Sequence, residues 1–220
     1  MAPSRAARRA SFPSAERPNS DAFVPDRWGA FSERNYRRFV TGQGLSLVGS
    51  WTETVAQGIL ILQLTDSPVV LGGAVAVRYL PVLLLGPLGG VLVDRHDRRW
   101  VLLVTQALLG LVSLAFGVVV LAGNASVWGI LVVALLFGLV TVVDNPARMA
   151  LIPELVPPDA LHSAVTINST LANVGRGLGP MAAAGIIASV GIGWCFIANG
   201  ATFACVIVAL LSMRAVDLRV

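Results

Sequence analysis

The residues with the clearest chemical potential lie inside long apolar runs. In the first run, polar side chains recur every three or four residues, which places them on one face of a helix; they are Gln43, Ser46, Ser50, Glu53 and Gln57. If this run crosses a membrane, an ionisable group within it marks a cavity, a proton path or a substrate contact. The stripe is therefore predicted to face a cavity, with an interhelical hydrogen-bond seam as the alternative.

Two later runs carry similar groups. The second holds a lone arginine, Arg78, and a polar stripe at the same spacing recurs in the fifth: Thr166, Ser169, Asn173 and Arg176. At ~1.5 Å of rise per residue, Glu53, Arg78 and Arg176 fall at similar depth. We hypothesise that Glu53 pairs with Arg78 or Arg176 in a shared cavity. Glu53 is the best candidate for a proton-titrating group, because a low-dielectric site favours its neutral form; a permanent ion pair is the alternative.

Charged residues otherwise concentrate between the apolar runs. The second and third runs are joined by a turn that contains Gly90, Asp94, Arg95, Arg98 and Arg99. The segment after the fourth run contains Asp144, Asn145, Pro146 and Arg148. Short arginine-rich connections stay on the cytoplasmic side of a membrane, and the arginine-bearing segments all fall on one side. Both termini are therefore predicted to be cytoplasmic, in a plasma (inner) membrane.

The composition predicts the elements that position these groups. Of 220 residues, 55% are hydrophobic and 13% charged, with a mean hydropathy of +0.77, whereas soluble domains carry roughly 25% charged residues. A helix needs roughly 20 apolar residues to cross a bilayer. We therefore predict an all-α integral membrane protein within residues 35–220, with six spans at about 40–62, 70–93, 100–122, 127–143, 164–190 and 194–213.

The first 34 residues are predicted to form a disordered, basic cytoplasmic tail, because they are rich in Ala, Arg, Ser and Pro. Aromatic residues from Trp28 to Phe39 recur at roughly helical spacing among arginines. A short helix on the membrane surface and an unstructured basic lead-in are both compatible with this pattern.

Several function classes are excluded by pattern. The net charge of +4 comes from arginines in the tail and connections, so nucleic acid is not an expected partner. Two cysteines, Cys195 and Cys205, form no metal or redox motif. A phosphate-binding loop and paired catalytic groups are absent from the sequence. No metal, cofactor or enzymatic activity is expected.

A weak internal sequence similarity relates the two halves of the chain. Leu85-Gly-Pro-Leu-Gly-Gly90 in the second run recurs as Leu178-Gly-Pro-Met-Ala-Ala183 in the fifth. Each run is the middle one of three, and the two run in opposite directions. This is the pattern of an inverted three-plus-three repeat; two unrelated Gly-Pro packing kinks are the alternative.

Three segments carry a family resemblance. Residues 90–99 (GVLVDRHDRR) resemble the loop signature of the major facilitator superfamily, roughly G-x-x-x-D-R-x-G-R-R, with Asp97 at its second glycine. Gly175, Gly179 and Pro180 match the antiporter signature G-x-x-x-G-P-x-x-G-G, whose last glycines are Ala183 and Ala184 here. Residues 144–148 and 152–157 resemble the fourth-to-fifth helix connection of the branch that includes enterobactin and macrolide exporters.

The resemblance implies efflux of a small organic molecule by alternating access. In the family argument, Asp94 with Arg95, Arg98 and Arg99 forms a cytoplasmic gate, and Gly175, Gly179 and Pro180 shape a moving helix interface. Proton coupling is implied, although the arginine that many drug antiporters carry in the fourth helix is missing.

The same resemblance implies a twelve-helix fold of which this chain matches the N-terminal half. The expected partners are the lipid bilayer, a small-molecule substrate, protons and a second six-helix half, supplied by the same gene product, a partner chain or a homodimer. The alternative is a truncated or non-transporting six-helix membrane protein that needs a partner half.

Overall fold

The chain folds into six α-helices in a computed structural model that describes residues 29–213. The helices are α1 (Arg34–Thr65), α2 (Pro68–Asp94), α3 (Arg98–Leu121), α4 (Val127–Leu155), α5 (Leu161–Ser189) and α6 (Gly193–Leu211). Short 3-10 turns cover Gly29–Ser32 and Pro158–Ala160. The described residues contain no strand, which confirms the all-α prediction.

Five of the helices are long and apolar enough to cross a membrane, by length and composition: α1, α2, α3, α4 and α6. The exception is α5, because Asn173, Arg176 and its polar first turns lower its hydropathy. The membrane-protein class is confirmed, and the count of six spans stays a prediction.

The helix boundaries follow local chemistry. Ser67, Asp97 and Ser126 precede α2, α3 and α4, and each accepts a hydrogen bond from a backbone N–H of the first turn, at 3.5, 2.9 and 3.1 Å. Such caps satisfy donors that the helix itself leaves free. Gly123 and Gly191 lie just beyond α3 and α5 with φ of 75° and 101°, which only glycine adopts without strain.

The end of α4 differs from the sequence prediction. The fourth apolar run was placed at 127–143, yet the helix continues to Leu155. Asp144, Asn145, Pro146 and Arg148 therefore lie on a helix rather than in a connection. The reason is that polar residues end an apolar run, whereas a helix ends only where its backbone hydrogen bonds end.

The start of α1 also differs from the sequence interpretation. A surface helix was considered for residues 28–39, but α1 begins at Arg34 and includes the last six of them. Tyr36 and Phe39 are fully buried in the bundle rather than exposed to a membrane surface. The Tyr36 hydroxyl donates to the Ala164 carbonyl of α5 at 2.9 Å. The predicted tail lies outside the described residues up to residue 28.

The helices pack in two layers. The largest contacts of the first layer run α2 to α4 and α1 to α5, with α1 and α4 touching between them; α3 and α6 pack against each other and cover α4 and α1 from behind. We call the row α2–α4–α1–α5 the front layer and the pair α3–α6 the back layer. Consecutive helices α2 and α3, or α5 and α6, barely touch.

This contact pattern is unchanged when α1, α2 and α3 are exchanged with α4, α5 and α6. The α1–α5 contact becomes α4–α2, the α1–α6 contact becomes α4–α3, and α3–α6 maps onto itself. An inverted repeat predicts this pairing, since its two triplets occupy equivalent positions.

Close helix approaches depend on small residues at a few points. A Cβ added at Gly89 of α2 would clash with the Val142 carbonyl of α4, whereas one added at Gly86 of the same helix would meet nothing within 4 Å. Backbone approach at small residues is the usual way helices associate in membranes.

We expect G89A to destabilise the bundle by about 1–3 kcal/mol, because the new methyl group forces α2 away from α4. The matched control G86A should leave stability unchanged or slightly higher, since alanine favours helix. Denaturant titration of the purified chain in detergent, followed by circular dichroism, measures both. Equal stability of the two variants would show that the α2–α4 contact is not set by Gly89.

Candidate functional site

Glu53 of α1 is a fully buried carboxyl group, with 0% exposure at the boundary between the front and back layers. Its Oε2 accepts hydrogen bonds from the Ser113 hydroxyl of α3 and from Asn199 Nδ2 of α6, the latter at 2.5 Å. Its Oε1 has no hydrogen-bond partner among the described residues. One carboxyl group therefore joins three helices.

The Ser113 hydroxyl has two neighbouring acceptors. Besides Glu53, it lies 2.8 Å from the Phe196 carbonyl of α6. A hydroxyl carries a single proton, so it can donate to only one of the two. A protonated Glu53 carboxyl that donated to the Ser113 oxygen would leave the hydroxyl free to donate to Phe196.

The structure shows no direct ion pair of Glu53 with Arg78 or Arg176, although Arg78 is close enough to interact with Glu53 electrostatically. Among the described residues, Glu53 forms no ion pair within 4.0 Å. The Arg78 Nη1 instead donates to Gln57 Oε1 at 3.5 Å and its guanidinium covers the Phe137 ring at 5.0 Å. The physical reason is that Glu53 points backwards towards α3 and α6, whereas both arginines are on front-layer helices.

The stripe on α1 is mostly an interhelical seam rather than a cavity wall. Gln43, Ser46, Glu53 and Gln57 are buried, and Ser50 is half-buried. Gln57 Nε2 donates to the Ile130 carbonyl of α4 at 3.5 Å. The hydrogen-bond seam therefore describes Glu53, whereas Gln57 both bonds to α4 and borders the cleft that contains Arg78.

The stripe on α5 has the opposite character. Thr166, Ser169, Asn173 and Arg176 are all exposed, while Gly175 and Gly179 on another side of the helix are buried against Leu47, Trp51 and Thr52 of α1. Pro180 is half-buried. The Arg176 guanidinium covers the Trp51 ring at 5.2 Å. This is the only helix face in the described bundle with a run of exposed polar residues at membrane depth.

The back layer shows the complementary pattern. The polar residues of α3 and α6 are buried or half-buried, whereas their exposed positions are apolar, as at Leu111, Val118 and Val208. A polar group facing lipid is costly and an apolar one is not. The back layer therefore faces lipid. In the front layer the exposed side chains of α2 are also largely apolar, as at Leu83 and Leu88, so the exposed polar residues that would be costly in lipid are those of α5.

Arg78 lines a small cleft at the front. The cleft has a volume of about 40 Å³ and lies between α1 and α2, with Thr54, Gln57, Gly58, Ala74 and Tyr79 among its other walls. A water molecule needs roughly 10–15 Å³ of such space, so the cleft is large enough for water to reach the guanidinium.

At the end of the bundle where α3 begins and α6 ends, arginine side chains join helices through ion pairs and hydrogen bonds. We call this the arginine-rich end. Arg98 of α3 forms an ion pair with Glu154 of α4. Arg99 Nε donates to the Leu210 carbonyl of α6 at 2.9 Å, which supplies a donor to a carbonyl in the last helical turn.

Asp144 of α4 is the centre of a second cluster at this end. Its exposure is 2%, it pairs with Arg148 one turn later, and it accepts hydrogen bonds from Thr105 Oγ1 at 2.7 Å and Gln106 Nε2 at 2.8 Å. A buried charge with three partners is well compensated. The cluster therefore links α3 to α4.

The remaining loop residues are open. Asp94 and Arg95 are exposed and make no side-chain hydrogen bond or ion pair with residues 29–213. Gly90 is half-buried and has no neighbour within 4 Å of an added Cβ. Asn145 is exposed and Pro146 half-buried. Within the loop signature, Arg98 and Arg99 thus bond to neighbouring helices, whereas the Asp94 side chain has no partner among residues 29–213.

Sequence reasoning missed several residues of these clusters. Ser113 and Asn199 were not singled out, although each is an isolated polar residue within an apolar run, the same signal that identified Glu53. Thr105, Gln106 and Glu154 were also missed as partners, because their contacts join helices distant in sequence. No group of three or more potential metal ligands occurs in the part of the chain that the structure describes.

Comparison with known proteins shows which family has a similar sequence. A family profile described as "Transmembrane secretion effector" matches residues 26–218. Macrolide efflux protein A of Streptococcus pyogenes is 30% identical over 146 residues, which cover 65% of this chain and 35% of the relative. The Staphyloferrin A transporter of Staphylococcus aureus is 28% identical over 153 residues, which cover 69% and 38%.

An uncharacterized MFS-type transporter of Mycobacterium tuberculosis is 37% identical over 150 residues, covering 66% of this chain and 31% of the relative. The chain thus aligns with about a third of the length of these longer proteins. The relatives are transporters, and the prediction of a transporter rather than an enzyme is confirmed at the level of the family. The matched profile covers nearly all described residues, and the chain belongs to the transmembrane secretion effector family of the major facilitator superfamily.

Proposed function

We propose that this chain is the N-terminal six-helix half of a secondary active exporter of small organic molecules that works by alternating access. The observation that carries the proposal is the polar exposed face of α5, from Thr166 to Arg176, next to a back layer whose outer side is apolar. Lipid would not tolerate such a face, so a second six-helix half covers it and the substrate pathway lies between them.

The names of the relatives support an exporter of small organic compounds. Two of them are named for macrolide efflux and for staphyloferrin A transport. The part of each relative that aligns with this chain is a minor share of its length, which fits a half that is completed by further helices.

The arginine-rich end is the cytoplasmic end in this proposal, in a plasma (inner) membrane with both chain termini in the cytoplasm, because arginine-rich connections are retained there. Arg98 and Arg99 hold α3 to α4 and α6 as one unit. Asp94, which has no partner in residues 29–213, engages the second half when the cytoplasmic side closes. Gly175 and Gly179 allow α5 to shift against α1.

Proton coupling is assigned to Glu53. Its hydrogen bonds with Ser113 are best satisfied when the carboxyl is neutral, and the group lies between the front and back layers, where a change of charge alters how three helices pack. A non-transporting membrane protein that merely needs a partner half is the alternative function.

We expect the full gene product that contains this chain to expel a labelled macrolide or staphyloferrin A from cells that lack their own exporters. Residues 1–220 alone should not, because the substrate pathway would have a single wall. Cell-associated label with and without expression measures this. Export by the purified 220-residue chain as a monomer would overturn the half-transporter proposal, and no export of any compound by the full product would favour the non-transporting alternative.

We expect D94N to lower transport about tenfold or more, the usual effect of losing a charge-assisted hydrogen bond, without lowering the stability of the chain. The control is D66N at the opposite end, where Asp66 adopts φ 49° and asparagine tolerates that conformation well. Initial efflux rates and thermal unfolding are compared. Unchanged efflux in D94N would remove this residue from the gate.

We expect E53Q to fold normally and to lose the dependence of transport on a proton gradient, because glutamine resembles the protonated carboxyl group in shape and donor capacity. Efflux is measured in vesicles before and after a protonophore collapses the gradient. The control is D159N, an acid-to-amide change at an exposed residue. Gradient-driven transport retained in E53Q would eliminate Glu53 as the coupling group.

A further inference from the structure

The charge of the exposed front face narrows the kind of molecule that can bind there. We propose that this face, formed by α2, α1 and α5, binds an elongated organic anion with two carboxylate groups, one held near Arg78 and the other near Arg176. The proposal deepens the transport function above and rests on it for the biological role of the site, while the binding itself can be measured separately.

Away from the helix ends, the described front face exposes no acid beside its arginines, although the buried Glu53 interacts electrostatically with Arg78. Within the described membrane-spanning helices, the two acidic residues away from the helix ends are Glu53 and Asp144, which are 0% and 2% exposed. Glu53 points towards Ser113 and Asn199, and Asp144 is paired with Arg148. The burial of Glu53 therefore leaves Arg78 and Arg176 as the ionisable groups of this face.

Both arginines are oriented in a way that leaves their N–H groups available. Arg78 stacks on Phe137 at 5.0 Å and Arg176 on Trp51 at 5.2 Å, so one flat side of each guanidinium is covered. Arg78 makes a single long hydrogen bond, 3.5 Å to Gln57, and Arg176 makes none with the described residues. A planar guanidinium presented by its edge is suited to bidentate binding of a carboxylate.

The spacing of the two sites sets the length of the ligand. Trp51 and Gln57, which contact Arg176 and Arg78, lie six residues apart on α1, or ~9 Å along the helix axis. The arginines approach α1 from α5 and α2, which pack on different sides of the α1–α4 pair. A ligand that reaches both guanidinium groups therefore separates its carboxylates by about 10 Å or more.

Neutral polar groups line the same region. Asn173 is exposed one turn before Arg176 on α5, and Thr54 borders the cleft that contains Arg78. Such groups orient a bound molecule without adding charge. A cationic molecule would meet two guanidinium groups and no exposed carboxylate on this face.

The test uses the 220-residue chain in a detergent without net charge, so that no bilayer covers the front face. Trp28, Trp100, Trp128 and Trp194 are changed to phenylalanine, so that Trp51 beside Arg176 is the only fluorophore of its kind. Succinate, adipate and azelate are titrated at constant ionic strength. We expect a saturable change in Trp51 emission whose affinity rises with the length of the dicarboxylate, and no such change with 1,8-diaminooctane.

Removing either arginine should weaken azelate binding about 10- to 100-fold, as expected for a lost charge-assisted contact. R176Q and R78Q are compared with R34Q, a control at an exposed arginine outside this face. Binding of azelate in R176Q and R78Q as tight as in the parent chain would overturn the proposal. So would equal affinity for all three dicarboxylates, or a lack of response to any of them.

The binding assay and the efflux assay can fail independently. Azelate binding with loss in R176Q and R78Q, combined with no efflux by the full product, would retain the anion site and reject the transport role. Efflux without dicarboxylate binding would retain transport and reject this substrate class.

Discussion

The interior of a bilayer offers no water to a polar group, and this constraint accounts for most of the arrangement described above. Ser113 and Asn199 turn inwards and meet Glu53, because each would otherwise face lipid. The same cost leaves the outer side of α3 and α6 almost purely apolar. The polar residues that remain exposed on α5 therefore need a polar environment, and they distinguish this side of the bundle from the apolar outer side of α3 and α6.

The helices differ in what joins them. Arg98, Arg99 and Asp144 tie α3 to α4 and α6 through ion pairs and hydrogen bonds. By contrast, α2 packs mainly on α4, through a close backbone approach at Gly89. The charged contacts thus connect the back layer to α4, whereas α2 and α5 depend on small-residue packing, so that a shift of either helix breaks no buried charge pair.

Much of this could be predicted from the sequence, because hydropathy and arginine placement report directly on membrane helices. The six helices and their order were predicted, and the polar stripe on α5 lies on an exposed face as a helical spacing implies. The direction of Glu53 could not be predicted, since spacing tells which residues share a face but not which neighbour that face meets. The partners Ser113 and Asn199 lie 60 and 146 residues away along the chain, a separation that no local pattern encodes.

The end of α4 differed from the predicted end of the fourth span for a related reason. Hydropathy falls at Asp144, yet the helix continues because Thr105, Gln106 and Arg148 compensate the buried carboxylate. Such compensation depends on a tertiary contact with α3. Apolar length therefore underestimates a helix wherever a neighbouring helix supplies the missing polar partners.

The pairing of the helices also has a consequence for biogenesis. Helices enter a membrane in chain order, but the main neighbours of α1 are α5 and α6, which follow it after three and four intervening helices. Glu53 thus enters before Asn199 exists to donate to it, and it meets Ser113 only after α3 is in place. Until then the carboxyl group of α1 lacks its hydrogen-bond partners, which is costly in lipid. The described bundle is consequently completed late, when α6 supplies the last partner of Glu53.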